Sequence, residues 1–167
     1  MKQLSGLPFD VWLGHPEDPV ADGFRSHPDT ETLVWSPEVA VDAEWDRTPP
    51  GVPTAVFFHS DSEKHHPFWL CHTAKEALYK REFRPFPFVP AAWPVDSVTE
   101  TCAASRHVLR RFDWQGGCTC LTRVPGNTPG TERLLWVSMA PGQNPKRDLT
   151  STAASWKTPH RSLLRKS

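Results

Sequence analysis

The clearest alternation of apolar and polar residues in this chain lies at Glu38–Trp45. Successive side chains of a strand point to opposite faces, so the apolar residues of this segment are predicted to share one face. They are Val39, Val41, Ala43 and Trp45. Asp42 and Glu44 then share the other face. Two neighbouring carboxylates repel each other and are costly to desolvate, so the pair predicts a site for a hard divalent cation.

Apolar runs further along the chain predict three more elements. Thr54–His59 and Pro67–His72 are interpreted as a second and a third strand, separated from the first by proline-rich and polar segments. A helix is predicted over Thr73–Glu82, because Thr73 followed by Glu76 matches a capping box.

A second helix is predicted at Asp96–Phe112. Asp96 suits the N-cap position, basic residues occupy the last turn, and apolar residues such as Val108 and Phe112 recur at spacings of three and four. From residue 116 onward the pattern weakens, and Glu132–Met139 is the remaining candidate strand.

These elements predict an α/β or α+β fold with a small mixed sheet and two helices. Residues 1–37 are interpreted as an irregular N-terminal segment, broken by prolines and glycines, with short extended pieces at Phe9–Leu13 and Thr32–Trp35. Residues 38–115 are predicted to form the folded α/β region, and residues 116–167 are predicted to be a loosely structured basic tail with a disordered end.

Charge is distributed unevenly although the net charge is zero. Residues 1–63 carry twelve acidic against three basic residues, and residues 64–167 carry seven against sixteen. One interpretation is an acidic metal-binding part beside a basic part that meets a polyanion such as nucleic acid. The other is a solvated basic tail joined to an acidic segment. The chain also has 18 prolines and no isoleucine, which is typical of a GC-rich reading frame and permits a frame without evolved function.

The four cysteines show no recognisable disulfide framework, and the first residues do not resemble a signal peptide. We therefore expect an intracellular protein, cytoplasmic or nuclear and not secreted, and no segment is long enough to predict a membrane span.

The strand Val39–Trp45 resembles the φφφDxEW strand that opens the ribonuclease H-like domain of the DEDD 3′-5′ exonuclease family. The resemblance implies that Asp42 and Glu44 bind Mg²⁺ or Mn²⁺ for phosphodiester hydrolysis. The family's next acid lies at the start of a later helix, and Asp96, 54 residues after Asp42, matches it. Catalytic and metal-binding roles are thereby assigned to Asp42, Glu44 and Asp96.

A second alignment conflicts with this assignment. The segment Arg106–Asp113 looks like the helix that follows the acid in helicase-associated members of the family, which would place Ala104 at the ligand position. The closing motif, a Tyr or His followed four or five residues later by Asp, is missing: Tyr79 lies too early and Asp148 has no such partner. The resemblance thus covers residues 38–113 and implies a truncated or degenerate exonuclease.

Histidines and cysteines form a second candidate site. Imidazole and thiolate are the ligands that Zn²⁺ prefers, but no pair here has the spacing of a known zinc motif. The residues concerned are His59, Asp61, His65, His66, Cys71, His72, Cys118 and Cys120.

Aromatic and basic residues alternate around residues 80–93. Lys80, Arg81, Arg84 and Trp93 are predicted to contact single-stranded nucleic acid by charge and stacking. Alternatively, these aromatics pack a small core, or residues 84–94 dock on a protein partner. The rival to a nuclease is therefore a non-enzymatic interaction protein that uses its Pro- and Trp-rich segments.

Overall fold

The structure is a computed structural model that describes residues 1–51, 54–82, 87–103 and 105–142. The elements of this part of the chain are two antiparallel sheets, one long helix and several short helical turns. The fold class is therefore mixed α+β, in agreement with the broad prediction.

The N-terminal segment forms a small four-stranded sheet. Its strands follow the order β1-β2-β4-β3 across the sheet. They are β1 (Lys2–Gln3), β2 (Trp12–Gly14), β3 (Phe24–Ser26) and β4 (Leu33–Ser36). The extended pieces predicted at Phe9–Leu13 and Thr32–Trp35 thus coincide in part with β2 and β4. The prediction of an irregular segment was wrong, because buried residues such as Val34 give these short strands a common core.

A five-stranded sheet forms the larger layer. Its order is β5-β9-β8-β7-β6, so the strand with the two acids lies at one edge. The strands are β5 (Ala40–Trp45), β6 (Thr99–Thr101), β7 (Val108–Trp114), β8 (Gly117–Pro125) and β9 (Glu132–Ala140). The strand predicted at Glu38–Trp45 is confirmed, as is the one at Glu132–Met139. They pair with each other from Ala40 opposite Ala140 to Trp45 opposite Leu135.

The short β3 strand closes part of the free edge of β5. The Ser26 hydroxyl accepts a hydrogen bond from the Ala43 N–H at 3.0 Å and lies 2.9 Å from an oxygen of Asp42. A side chain thus replaces a neighbouring strand at this point, which satisfies a backbone group that would otherwise lack a partner.

A long helix, α2 (Phe68–Glu82), packs on β5, β9 and β8. Buried hydroxyls tie it to the sheet: Thr73 Oγ1 lies 2.7 Å from Ser138 Oγ, which lies 2.6 Å from Thr119 Oγ1. The Trp114 indole N–H donates to Thr119 at 2.9 Å. This chain of hydrogen bonds keeps buried polar groups satisfied across four elements. In the part of the chain that the structure describes, no helix is long and apolar enough to cross a membrane.

A buried ion pair joins α2 to two short 3₁₀ turns, Asp61–His65 and Pro90–Ala92. Lys75 Nζ lies 2.8 Å from a carboxylate oxygen of Glu63 and donates to the carbonyl of Trp93 at 2.6 Å. Glu63 also accepts from two backbone N–H groups, those of His59 and Val95. Because every charged atom has partners, the pair can remain fully buried.

The strands predicted at Thr54–His59 and Pro67–His72 were wrong. Thr54–Phe57 is one helical turn, α1, and the third predicted strand is the first part of α2. A short continuous apolar run does not distinguish a buried strand from a buried helix. The helix predicted over Thr73–Glu82 is confirmed, but Thr73 lies inside α2, where its hydroxyl bonds the Trp69 carbonyl at 2.7 Å instead of capping the first turn.

The helix predicted at Asp96–Phe112 was also wrong, because this segment contributes β6 and β7. A β-bulge explains the misleading pattern. Val108 pairs with Thr122 and Arg110 with Leu121, so Leu109 is an extra residue on β7. The extra residue interrupts the alternation by which a strand is recognised.

The loosely structured tail predicted from residue 116 was wrong as far as residue 142, because β8 and β9 lie inside the sheet. A tight turn at Gln115-Gly116 joins β7 to β8, and Gly116 has φ +93°, a conformation that glycine adopts without strain. The predicted disordered end, residues 143–167, lies outside the described residues.

Candidate metal site

Asp42 lies almost fully buried between β5 and α2. Its Oδ1 atom has two partners, the Lys80 ammonium at 2.7 Å and the Ser26 hydroxyl at 2.9 Å. Its Oδ2 atom has no hydrogen-bond partner among the described residues. A carboxylate oxygen without a partner is costly in a buried site. Asp42 therefore has a buried acceptor that no described residue satisfies.

Three polar residues of α2 form one stripe toward β5. His72, Glu76 and Lys80 follow each other at a spacing of four, which places them on the same side of a helix. The two oxygens of Glu76 lie 3.6 Å from His72 Nε2 and 3.5 Å from Lys80 Nζ. The three side chains are partly exposed, so the cluster is open to solvent on the Glu76 side.

One potential ligand atom from each of Asp42, His72 and Glu76 lies within 4.8 Å of the other two. Donor atoms around Zn²⁺, at about 2.1 Å from the ion, are separated by about 3.4 Å in tetrahedral geometry. Closing the cluster around a cation therefore needs side-chain movements on the order of 1 Å. No other group of three such residues meets this criterion within the described ranges.

Burial governs the electrostatics of the cluster. It raises the pKa of Asp42 from 3.8 to about 7. The Lys80 ammonium acts against this rise, and the negative charge of Glu76 adds to it. Burial also lowers the pKa of His72, while Glu76 acts in the opposite direction. A neutral imidazole is the form that binds metal ions, so His72 is suited to be a ligand near neutral pH.

Aromatic rings fix the position of the His72 ring. Phe57 and Phe68 stack on it with centroid distances of 5.9 Å each, and Trp69 meets it edge-on at 5.5 Å. This packing limits the rotation of the imidazole, which is what a preorganised ligand needs.

Glu44 lies on the same face of β5 as Asp42, as predicted. Its carboxylate is half-buried and forms an ion pair with Arg47 at 3.2 Å. Burial raises the pKa of Glu44, Arg47 lowers it, and Glu76 raises it. Glu44 therefore interacts with the charge of Glu76 but is not one of the three residues of the Asp42 cluster.

Asp96 lies in an exposed loop before β6, where its backbone carbonyl accepts a hydrogen bond from Gln115 N–H at 3.0 Å. It is not a member of the Asp42 cluster. The segment that was expected to be a helix with Asp96 at its N-cap forms strands instead. The structural reason for assigning a catalytic role to Asp96 therefore no longer holds.

The residues predicted to bind nucleic acid have internal partners. Lys80 contacts Asp42, the Arg81 guanidinium donates to the carbonyl of Gly116 at 3.2 Å, and Trp93 packs half-buried against the core. Arg84 lies outside the described residues, as do residues 85 and 86 of the predicted partner-binding segment 84–94. Binding of nucleic acid or of a protein partner by these residues stays a prediction.

Of the histidines and cysteines considered for zinc, the structure brings His72 into the cluster. His59 instead bonds the Ala91 carbonyl at 2.9 Å, and Cys71 is buried with its thiol toward the Glu63 carbonyl at 3.6 Å. Cys118 and Cys120 are buried on β8.

Glu76 was missed as a site residue. Its sequence signal is a His, a Glu and a Lys at a spacing of four, which becomes visible once the helix begins at Phe68. The predicted helix began at Thr73, which left His72 on a different element from Glu76.

Comparison with protein-family models, with curated proteins and with solved structures found no match for this chain.

Proposed function

We propose that this protein binds a divalent metal cation through Asp42, His72 and Glu76. The observation that carries the proposal is that the buried Asp42 has an oxygen, Oδ2, without a partner among the described residues, while an imidazole and a second carboxylate offer ligand atoms within 4.8 Å of its carboxylate. A cation would complete the coordination of this oxygen and offset the mutual repulsion of the two carboxylates.

The ligand types favour particular ions. A site with one imidazole and two carboxylates suits Zn²⁺ or Mn²⁺, whereas Mg²⁺ prefers oxygen ligands and keeps several waters. Mn²⁺ agrees with this ligand set. It is also one of the two ions, Mg²⁺ and Mn²⁺, that the exonuclease resemblance implies. Zn²⁺, Mn²⁺ and Mg²⁺ are therefore the three ions to compare.

The Lys80 ammonium would compete with a metal cation for the Asp42 carboxylate. Its ammonium lies 2.7 Å from Asp42 and 3.5 Å from Glu76, so it already supplies positive charge to the cluster. A bound divalent cation would repel it. Lys80 thus lowers the metal affinity, and its removal is expected to strengthen binding.

Isothermal titration with each chloride salt at pH 7.5 tests the proposal. We expect one bound Zn²⁺ or Mn²⁺ per chain and a concentration-dependent rise in melting temperature, because a ligand that binds only the native state stabilises it. Asp42→Asn should abolish binding, His72→Gln should weaken it at least tenfold, and Lys80→Gln should strengthen it.

The matched control is Glu31→Gln, which removes an exposed acid that lies outside the cluster. Its metal affinity should equal that of the wild type. Wild-type protein that binds none of the three ions would overturn the proposal, and so would equal losses in Asp42→Asn and Glu31→Gln.

Metal-dependent phosphodiester hydrolysis is the second candidate function, in line with the exonuclease resemblance and the ribonuclease H-like fold that it implies. The observation that favours it is Glu44, which lies on the face of Asp42 and is close enough to Glu76 for the two charges to interact. A third carboxylate beside the cluster could support a second cation.

Incubation with a 5′-labelled single-stranded oligonucleotide and Mn²⁺ tests this activity. We expect shortening from the 3′ end that is lost in Asp42→Asn and reduced in Glu44→Gln. An oligonucleotide that stays intact with metal-loaded wild-type protein would reject hydrolysis while leaving the metal site itself standing.

A further inference from the structure

A cavity of about 520 Å³ lies between the N-terminal sheet and the hairpin of β8 and β9. It shares no lining residue with the Asp42 cluster. Its volume is in the range of small-molecule sites, which are commonly about 300–1,000 Å³. The cavity is therefore large enough for a ligand with several functional groups.

Basic side chains dominate the charge of this cavity. Lys2, Arg106 and Arg123 line it together with a single carboxylate, Glu132. In the described part of the chain, none of the three cations forms an ion pair with an acidic residue, whereas Arg110, for example, pairs with Glu100. The lining thus has an excess of two positive charges.

The basic segment at Arg106–His107 is held firmly. The His107 carbonyl accepts hydrogen bonds from Arg123 N–H at 2.8 Å and from the Thr122 hydroxyl at 3.0 Å, and His107 N–H donates to Ser105 Oγ at 3.1 Å. The Arg106 guanidinium also lies 3.4 Å from the His107 ring. These bonds connect the loop before β7 to β8, so the positions of Arg106 and Arg123 are fixed relative to each other.

Apolar residues also line the cavity. Leu4, Leu13 and Val124 belong to it, next to the cations. An excess of two positive charges matches a phosphate monoester dianion better than a single carboxylate, and arginine suits the geometry of phosphate oxygens. The apolar part would contact the organic group of the same molecule.

We infer that this cavity, which we name the Arg106–Arg123 cleft, binds a small phosphorylated organic molecule. Arg106 and Arg123 contact the phosphate, and Lys2 contributes charge from the edge of the first sheet. The cleft is independent of the metal site, because the two share no residue.

Titration calorimetry with phenyl phosphate at constant ionic strength tests the inference. We expect one saturable site per chain and a five- to tenfold loss of affinity in both Arg106→Gln and Arg123→Gln. Both side chains are exposed, so melting temperatures should show that these variants fold as the wild type does. Arg25→Gln is the matched control, since Arg25 is an exposed arginine outside the cleft, and its affinity should be unchanged.

Two further probes separate the sources of phosphate. Inorganic phosphate should bind more weakly than phenyl phosphate, because it makes no apolar contact. Equal binding of the two would overturn the assignment of an organic ligand. Binding of a single-stranded oligonucleotide but not of phenyl phosphate would replace it by a nucleic-acid surface. Absence of saturation, or equal losses of affinity in Arg25→Gln and Arg106→Gln, would overturn the inference that this cleft is a ligand site.

Discussion

Replacement of Asp42 by Asn should make the metal-free protein more stable at pH 8 and leave its stability unchanged at pH 4. Burial raises the pKa of Asp42 from 3.8 to about 7. The native state therefore holds a proton on this carboxyl over a pH range in which the unfolded chain has lost it. Stability contributed by the protonated carboxyl is complete below pH 4 and declines as the pH rises toward 7.

The magnitude follows from this difference in pKa. Each unit corresponds to about 1.4 kcal/mol, and a shift of about three units gives roughly 4 kcal/mol between pH 4 and pH 8. Asn keeps an oxygen acceptor for Lys80 and Ser26 but never ionises. The Asp42→Asn variant should thus exceed the wild type by up to about 4 kcal/mol at pH 8, with a difference below about 1 kcal/mol at pH 4.

Urea denaturation at one-unit steps from pH 4 to 8, with a chelator present, measures the effect. The substitution leaves His72, Glu76 and Lys80 in place around position 42, so the difference between the two unfolding free energies reports the effect of the Asp42 carboxyl in this surrounding. A difference that does not change with pH would refute the reasoning, as would a variant less stable than the wild type at pH 8. Added Zn²⁺ or Mn²⁺ should reverse the order at pH 8 by stabilising the wild type alone.

Two predictions concern the fold. Lys75→Met should destabilise the protein by about 3–5 kcal/mol in urea denaturation, because it leaves the buried Glu63 carboxylate without its cation. A loss under about 1 kcal/mol would contradict a buried ion pair at this position. Gly117→Ala should lower the melting temperature clearly, since a Cβ atom there would collide with the Met139 carbonyl of the neighbouring strand, whereas Gly51→Ala has open space and should change little. Equal melting temperatures for the two alanine variants would contradict the close packing of β8 on β9.

The sequence predicted β5 correctly because alternation with a period of two is unambiguous when the apolar and acidic residues differ as strongly as Val41 and Asp42 do. It also placed Asp42 and Glu44 on one face. The nature of α2 was hidden, since this helix buries residues around much of its circumference, including Leu70, Cys71 and Thr73. Such a helix lacks the narrow apolar stripe that identifies helices in a sequence.

Of the candidate site, the sequence predicted the residue on the strand, Asp42, but not its partners on the helix. Asp42 could be selected from local pattern, but its partners depend on which helix packs on that face and in which rotation, and both are tertiary properties. Asp96 was selected from a spacing along the chain and from a helix start. Because the segment forms strands with a bulge at Leu109, that local argument had no structural basis.

The pairing of β5 with β9 has a consequence for synthesis of the protein. Ala40 lies opposite Ala140, and in the described sheet β9 separates β5 from the locally formed β7–β8 hairpin. A ribosome that adds about 5–20 residues per second leaves β5 without its partner strand for roughly 5–20 s. Throughout this interval the backbone groups of β5 that later pair with β9 lack their partners, while the segment around Ser26 protects part of the other edge. During synthesis, β5 therefore has an open edge toward β9 until Glu132–Ala140 has been added, and this interval is when the strand is most exposed to pairing with another chain.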